Sequence, residues 1–228
     1  MIKKSRNLIL VALALAAFAG PGSAPAQAEQ AAFTAGAYPA TVTGTQVGEN
    51  VFGFGGLWEV TCPGASSTGT LLSKGGIQMT ASYGECVANE SFPVTVRTNG
   101  CVYAWKLETL EGPGTAAGWT SGSCGGGKMV EFDLYEGSAA HKFGFAFCTY
   151  GIPAQIETSI QTHNAESGGV EDVQLTLNLT GFNVKVLKGS SLLCGAEAGQ
   201  TVSGSYTGTQ TLSATDEEGK ATSFMVGS

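Results

Sequence analysis

The strongest constraint on this chain is a rhythm. Short stretches of alternating apolar and polar residues recur roughly every eight to twelve residues, separated by Gly, Ser, Thr and Asn. Ile77, Met79, Ala81 and Tyr83 alternate with Gln78, Thr80 and Ser82, and Cys101, Tyr103, Trp105 and Leu107 form a second set. Val173, Leu175, Leu177 and Leu179 alternate with Gln174, Thr176, Asn178 and Thr180. Successive side chains of a strand point to opposite faces, so each stretch offers one face to a core and one to water. No window of about fifteen residues carries a helical stripe, so at most a single helical turn is expected after the first 28 residues. The 34 glycines supply turns and bulges. The predicted fold class is all-β, an antiparallel sandwich or barrel.

Residues 1–28 read as a leader. Lys3, Lys4 and Arg6 precede an uncharged apolar run from Leu8 to Ala19, and Ala26-Gln27-Ala28 has the small-x-small form of a signal-peptide cleavage site. About twelve apolar residues rise only about 18 Å, short of a roughly 30 Å hydrocarbon core. The expectation is a cleaved signal peptide, a secreted chain from Glu29, a mobile segment over 29–37 and one domain over 38–228. Loss of the three leader cations leaves 8 basic against 18 acidic residues, a formal charge of −10. The remaining Lys and Arg are scattered singly, which argues against nucleic acid as a partner and against an anionic membrane surface. No later apolar run approaches 18 residues, no cysteine follows the cleavage pattern, and the C-terminus has no hydrophobic tail. No stable membrane anchor is expected.

Cys62, Cys86, Cys101, Cys124, Cys148 and Cys194 make an even count in a chain read as exported, hence three disulfides, for which 15 connectivities exist. Zinc would need closely spaced cysteine pairs with histidines near, and only His141 and His163 exist. No metal or cofactor is expected. A two-residue turn at Gly137-Ser138 would pair Glu136 with Ala139, placing Leu134, Phe132 and Val130 opposite His141, Phe143 and Phe145, and Asp133 opposite Lys142. That register brings Cys148 near Cys124 if the triple glycine Gly125 to Gly127 forms a bulge, so Cys124 with Cys148 is the favoured pair. A second hairpin is predicted to turn at Asp216 to Gly219, joining Tyr206–Ala214 to Ala221–Val226.

Thr41 to Gln46, Val60-Thr-Cys62, Ser82-Tyr-Gly-Glu-Cys86, Thr98-Asn-Gly-Cys101-Val-Tyr103, Cys148 followed by Ile152-Pro-Ala-Gln155, and Gly204-Ser-Tyr-Thr-Gly208 span nearly the whole mature chain. In this order they resemble a family of uncharacterised secreted proteins found as several paralogues in some soil actinobacteria. The stretch Gly122 to Tyr135 departs from that pattern. The resemblance implies a disulfide frame on an all-β body and carries no activity, ligand or catalytic residue.

Motifs that look chemical are incomplete. Gly122-Ser-Cys-Gly-Gly-Gly-Lys128-Met129 lacks the hydroxyl residue a phosphate loop uses for magnesium, and a strand, not a helix, is expected after it. Asp216-Glu-Glu-Gly219 lacks the alternating ligands of a calcium loop. No Gly-x-Ser-x-Gly elbow occurs; His141 reads as structural, at a hairpin end, and His163 as part of a loop. Glu131 and Asp133 share a strand face, the spacing a glycosidase could use, although Lys142 opposite Asp133 favours a solvent face. Adjacent Glu171 and Asp172 would point oppositely.

Trp58, Trp105, Trp119, Tyr83, Tyr103 and Tyr150 are candidate binding aromatics. Trp119, among small polar residues, is the one expected on the surface. The expectation is a non-enzymatic secreted protein, binding an extracellular ligand such as envelope or polysaccharide or serving as an envelope structural module. The alternatives are a polysaccharide hydrolase using paired carboxylates and, if the sheet closes into a barrel, a carrier of a small apolar ligand.

Overall fold

The computed structural model describes residues 30–138, 141–167 and 169–228. The leader and Glu29 lie outside the described residues. The first strands are β1 (Ala32–Ala35), β2 (Ala40–Phe54), β3 (Trp58–Cys62), β4 (Ala65–Leu71), β5 (Ile77–Tyr83), β6 (Cys86–Ala88), β7 (Phe92–Arg97), β8 (Val102–Gly112) and β9 (Thr115–Ser123). A 3-10 turn at Gly125–Gly127 leads to β10 (Val130–Ser138), β11 (His141–Ile152), β12 (Ile156–Ser167) and β13 (Val170–Lys188). A single-turn helix, α1 (Ser191–Cys194), precedes β14 (Thr201–Thr215), β15 (Ala221–Thr222) and β16 (Phe224–Gly227).

The main sheet is antiparallel and closes twice. One circuit runs β2–β4–β5–β8–β9–β12–β13–β14 and returns to β2; the other runs β2–β3–β6–β7–β10–β11–β13–β14 and returns to β2. Of the two architectures left open by the alternation, the barrel is the one formed, because β14 pairs with β2 and β11 with β13. Closure satisfies strand edges that an open sheet would leave unpaired.

Three long strands make both circuits possible. Ala40–Thr45 of β2 pairs with β4, and Asn50–Phe54 pairs with β3. β13 pairs with β12 as far as Leu177 and with β11 from Lys185, with a register shift between Thr180 and Phe182 where Gly181 sits at φ 79°. That left-handed conformation is costly for any residue with a Cβ, and the shift keeps Leu179 and Phe182 both buried. The expected alternations hold, with Val42, Met79, Leu107, Ile160, Leu175 and Leu212 filling one circuit and Phe54, Val60, Phe132, Leu134 and Val186 the other.

The segment expected to be a mobile lead-in is instead built into the fold over Ala32–Ala35. β1 pairs with β16, Phe33 stacks on Phe224 at 5.6 Å, and the Phe33 backbone exchanges hydrogen bonds with Gly75. Phe33 is fully buried, worth about 1.5–3 kcal/mol, enough to order a short strand that also has its backbone groups paired. The turn at Asp216 forms as predicted, its Oδ1 accepting from the N–H groups of Glu218 and Lys220. β15 follows β14 for only two residues, and the chain then leaves to meet β1.

The β10–β11 hairpin exists in a different register. Ser138 pairs with His141, Gly137 with Lys142 and Glu136 with Phe143, and residues 139 and 140 lie outside the described residues. Three extra β11 residues are then absorbed beside Gly144, and Leu134 faces Cys148, Phe132 faces Tyr150 and Val130 faces Ile152. Phe145, expected in the core, is 89% exposed. The bulge wins because it places Tyr150 and Cys148 in the core.

It also overturns the favoured disulfide. Cys148 lies deep on the inner face and bonds Cys194 of α1, while Cys124 bonds Cys101 and Cys62 bonds Cys86. Strand register explains the last two. Val102 pairs with Ser123, and Val60 with Ala88, so continuing each ladder puts the cysteines directly opposite, with Cα atoms 4.2 Å apart in both.

Candidate functional site

Where the shared strands change partners, the interior is not filled. A partly open cavity of about 90 Å³ lies at the junction of the two circuits, its wall drawn from β2, β5, β8, β9, β13, β14, the start of β10 and the end of β11. Phe52, Tyr83, Tyr103, Trp105, Phe182 and Tyr206 give it an aromatic lining, and Leu177 and Leu179 add aliphatic surface. Phe52 organises the rings: Tyr206 lies 4.6 Å from it, Phe132 4.8 Å, and Tyr83 meets it edge-on at 5.4 Å. Such pairs hold ring positions beyond what area burial alone supplies.

Polar groups are few, and two distinct pairs stand beside the rings. The Tyr206 hydroxyl donates to Asn50 Oδ1 at 2.5 Å, and Ser67 Oγ donates to Gln210 Oε1 at 2.6 Å. Gly208 is required here, since a Cβ would overlap Asn50 Oδ1 and crowd the Tyr206 hydroxyl. Two buried polar atoms have no hydrogen-bond partner among the described residues, Asn50 Nδ2 and Thr120 Oγ1, and Thr120 lines the cavity. Burial pushes the Tyr83, Tyr103 and Tyr206 phenols well above the usual tyrosine range. Neighbouring phenols add to this at Tyr83, where Tyr206 and Tyr103 oppose a second negative charge, and at Tyr206, where Tyr103 does. The cavity is lined by neutral hydroxyls.

The wall has an interruption in its ladder beside the cavity. Between Leu177 and Lys185, β13 has left β12 and not yet met β11. Gln155, in the connection from β11 to β12, spans the gap: its amide nitrogen donates to the Asn183 carbonyl at 3.1 Å, its amide oxygen accepts from the Asn183 N–H at 2.9 Å, and its own carbonyl accepts from Gly122 N–H. Ile152, Pro153 and Gln155 line the cavity on this side, next to the Cys101–Cys124 disulfide.

The residues singled out in the sequence fall mostly elsewhere. Trp119 is half-buried rather than free, beside Lys106, whose ammonium lies 6.0 Å from the ring centroid. Trp58 is held by its Nε1–H to the Leu193 carbonyl and packs with Phe92 and Phe147. Tyr150 is fully buried and donates to the Cys194 carbonyl. Glu131 and Asp133 do share a face and their partner is Arg97; in the ladder Asp133 lies opposite Thr149, and Lys142 opposite Gly137. Arg97 binds Glu131 at 2.5 Å and also Asp133, which is buried and accepts from Thr149 Oγ1 at 2.8 Å. Glu131 and Asp133 together hold the Arg97 guanidinium firmly protonated through hydrogen bonds.

His163 is exposed on β12 and not in a loop, and the His141 side chain lies outside the described residues. Glu171 is exposed and Asp172 buried, on opposite faces as expected. The triple glycine makes a 3-10 turn that runs into β10, with no helix to meet a phosphate. Among the described residues no three His, Cys, Asp or Glu gather to hold a metal ion, and no helix is long and apolar enough to cross a membrane.

Tyr83, Tyr103 and Trp105 were legible as inward-facing from their alternation. Phe52, Thr120, Phe182 and Gln210 were not, because only the pairing of β2 with β14 and the Gly181 bulge bring them to one place. No protein-family model, curated protein or solved structure matches the chain.

Proposed function

We propose that this protein is a binder of a small, mostly apolar molecule, held in the cavity at the barrel junction and reached through the gap at Gln155. The observation that carries the reading is the cavity itself: an aromatic-walled space left between two closed circuits, with a few polar groups at fixed positions. That composition is the usual one for small-molecule sites. Barrels that close with eight strands have room for side chains or for one small ligand. Three disulfides fit an oxidising, extracellular setting and would keep such a container intact there.

The role is one of holding rather than reacting. The carboxylate pair that a glycosidase would need is engaged by Arg97, and no carboxylate lines the cavity. Polymer binding has less support, since Trp119 is half-buried and pairs with Lys106 rather than forming part of an open platform of rings.

Trp105 lines the cavity and reports on it. Titration of the oxidised mature protein with small cyclic hydrocarbons, followed by tryptophan fluorescence and by calorimetry, should give saturable binding of one molecule per chain that Trp119→Ala leaves unchanged. Absence of saturable binding across the series, or its loss in Trp119→Ala, would overturn the reading.

A further inference from the structure

The polar groups of the cavity point to what its ligand carries. Tyr83 and Tyr103 both line the space, and neither hydroxyl has a hydrogen-bond partner among the described residues. Tyr206 differs, because its proton is directed to Asn50 Oδ1, an atom that can only accept. The ring of Tyr103 lies against Gly122, with Cε1 3.8 Å from where a Cβ would stand, and the ring of Tyr83 is fixed against Phe52. Two tyrosines with fixed rings and no protein partner for their hydroxyls therefore line one small apolar space, with Thr120, whose Oγ1 is also unpartnered, in the same wall. Unlike Thr120 Oγ1, neither phenol oxygen is fully enclosed without a partner, so both stay open to an acceptor that enters the space beside them.

Building on the small-ligand reading above, we infer that the ligand is a small cyclic or aryl compound bearing one carbonyl oxygen, which accepts hydrogen bonds from Tyr83 and Tyr103 while its hydrocarbon part packs against Phe52, Leu177 and Leu179. A carbonyl oxygen has two lone pairs and can accept from two donors at once. It carries no charge, as an interior without a cation in its lining requires. The cavity volume of about 90 Å³ limits the occupant to about a single ring. A hydrocarbon of the same shape would fill the space and leave both donors unmade, and sites built to hydrogen-bond a ligand discriminate against analogues lacking the polar group.

The test is a matched pair, cyclopentanone and methylenecyclopentane, which differ in C=O against C=CH₂. Affinities are measured by calorimetry for the native protein, Tyr83→Phe, Tyr103→Phe and the double variant, each first shown to be folded by its thermal transition. The ketone should lose about tenfold in affinity in the double variant, while the hydrocarbon changes less than twofold. The infrared C=O stretch of bound ketone should shift to lower frequency in the native protein and return toward its position in an apolar solvent in the double variant. If both probes bind but the ratio of their affinities and the C=O frequency ignore the tyrosines, the cavity reading stands and the carbonyl inference falls. If neither probe binds, both fall.

Discussion

A void that can hold a ligand is also a void that can be filled. Ala81 lines the cavity from β5, on the face it shares with Met79 and Tyr83. Each Å³ of empty core costs about 24 cal/mol, so a cavity of about 90 Å³ represents about 2 kcal/mol of missing packing. Ala81→Leu sends three further carbons into that space. The transfer gain, about 0.8 kcal/mol per buried carbon, is partly offset by ordering the new side chain, so unfolding free energy should stay level or rise by about 1 kcal/mol. For a domain of this size that is a rise of about 2–4 °C in Tm. The same substitution should weaken methylenecyclopentane binding by more than tenfold, because the occupant and the leucine compete for one volume. Urea denaturation and calorimetry on the oxidised protein read the two effects. A loss of more than about 2 kcal/mol would mean the site is already packed, since overpacking costs typically 1–3 kcal/mol. Undiminished binding would mean that the ligand sits elsewhere. Either result refutes the reasoning.

Four buried phenols, Tyr83, Tyr103, Tyr150 and Tyr206, have their pKa raised above the model-peptide value by desolvation, so above about pH 10 the unfolded chain releases protons that the folded chain keeps. Stability should then fall with rising pH, by up to about 1.4 kcal/mol per pH unit for each, and tyrosinate absorbance from these residues should appear only with unfolding; a titration complete before the unfolding transition would contradict their burial. Cys148→Ser with Cys194→Ser opens a link spanning 46 residues and should cost about 4 kcal/mol in the chain-entropy estimate, against about 3.4 kcal/mol for Cys101→Ser with Cys124→Ser, both measured by urea denaturation. Gln155→Ala removes both hydrogen bonds across the gap in β13 and should raise association and dissociation rates of a bound probe several-fold with less than a threefold change in Kd; unchanged rates in stopped-flow fluorescence would show that the ligand passes elsewhere. Arg97→Leu strips the buried Asp133 of its cation and should cost about 2 kcal/mol, whereas Glu131→Gln on the exposed side of the same cluster should cost under about 1 kcal/mol.

Much of the body could be read from side-chain alternation, because a period of two is a local property. Ile77 to Tyr83, Cys101 to Leu107 and Val173 to Leu179 are strands with the predicted faces buried, and Asp216 makes the predicted turn. What failed was register over distance. The β10–β11 hairpin looked decisive because one register satisfied both Phe132 with Phe143 and Asp133 with Lys142. The structure instead spends three residues in a bulge, exposes Phe145 and gives Asp133 to Arg97 of β7. A cross-strand pair is worth under about 1 kcal/mol, so it cannot outweigh the burial of Tyr150 and a disulfide at Cys148. The two pairings that follow plain ladder register, Cys62 with Cys86 and Cys101 with Cys124, need only the knowledge that β3 meets β6 and β8 meets β9. Residues 32–35 failed for a related reason: Phe33 has its partner, Phe224, at the far end of the chain.

The site was illegible for a deeper reason, which also explains why it exists. A strand that serves two barrels must change neighbours on one edge, and at the change the ladder stops: β13 has no partner on that edge between Leu177 and Lys185, where the gap is held by the side chain of Gln155. A bulge at Gly181 turns β13 there, and β14 shifts register beside Gly208. Interior side chains on either side belong to different circuits and cannot interdigitate as they do within one. The cavity is therefore what is left where two well-packed interiors meet, and its wall is assembled from β2, β5, β8, β9, β13 and β14. No local pattern marks such a place. Its trace in the sequence is a set of polar residues at positions whose alternation calls for apolar ones: Asn50 in step with Phe52, and Gln210 in step with Tyr206 and Leu212. Burying these side chains is unfavourable unless they are hydrogen-bonded; Tyr206 and Ser67 bond the two amide oxygens, while Asn50 Nδ2 stays unpartnered among the described residues. A polar residue that breaks an otherwise strict inward alternation, its oxygen held by a neighbouring hydroxyl, marks the part of a barrel interior shaped for something other than packing.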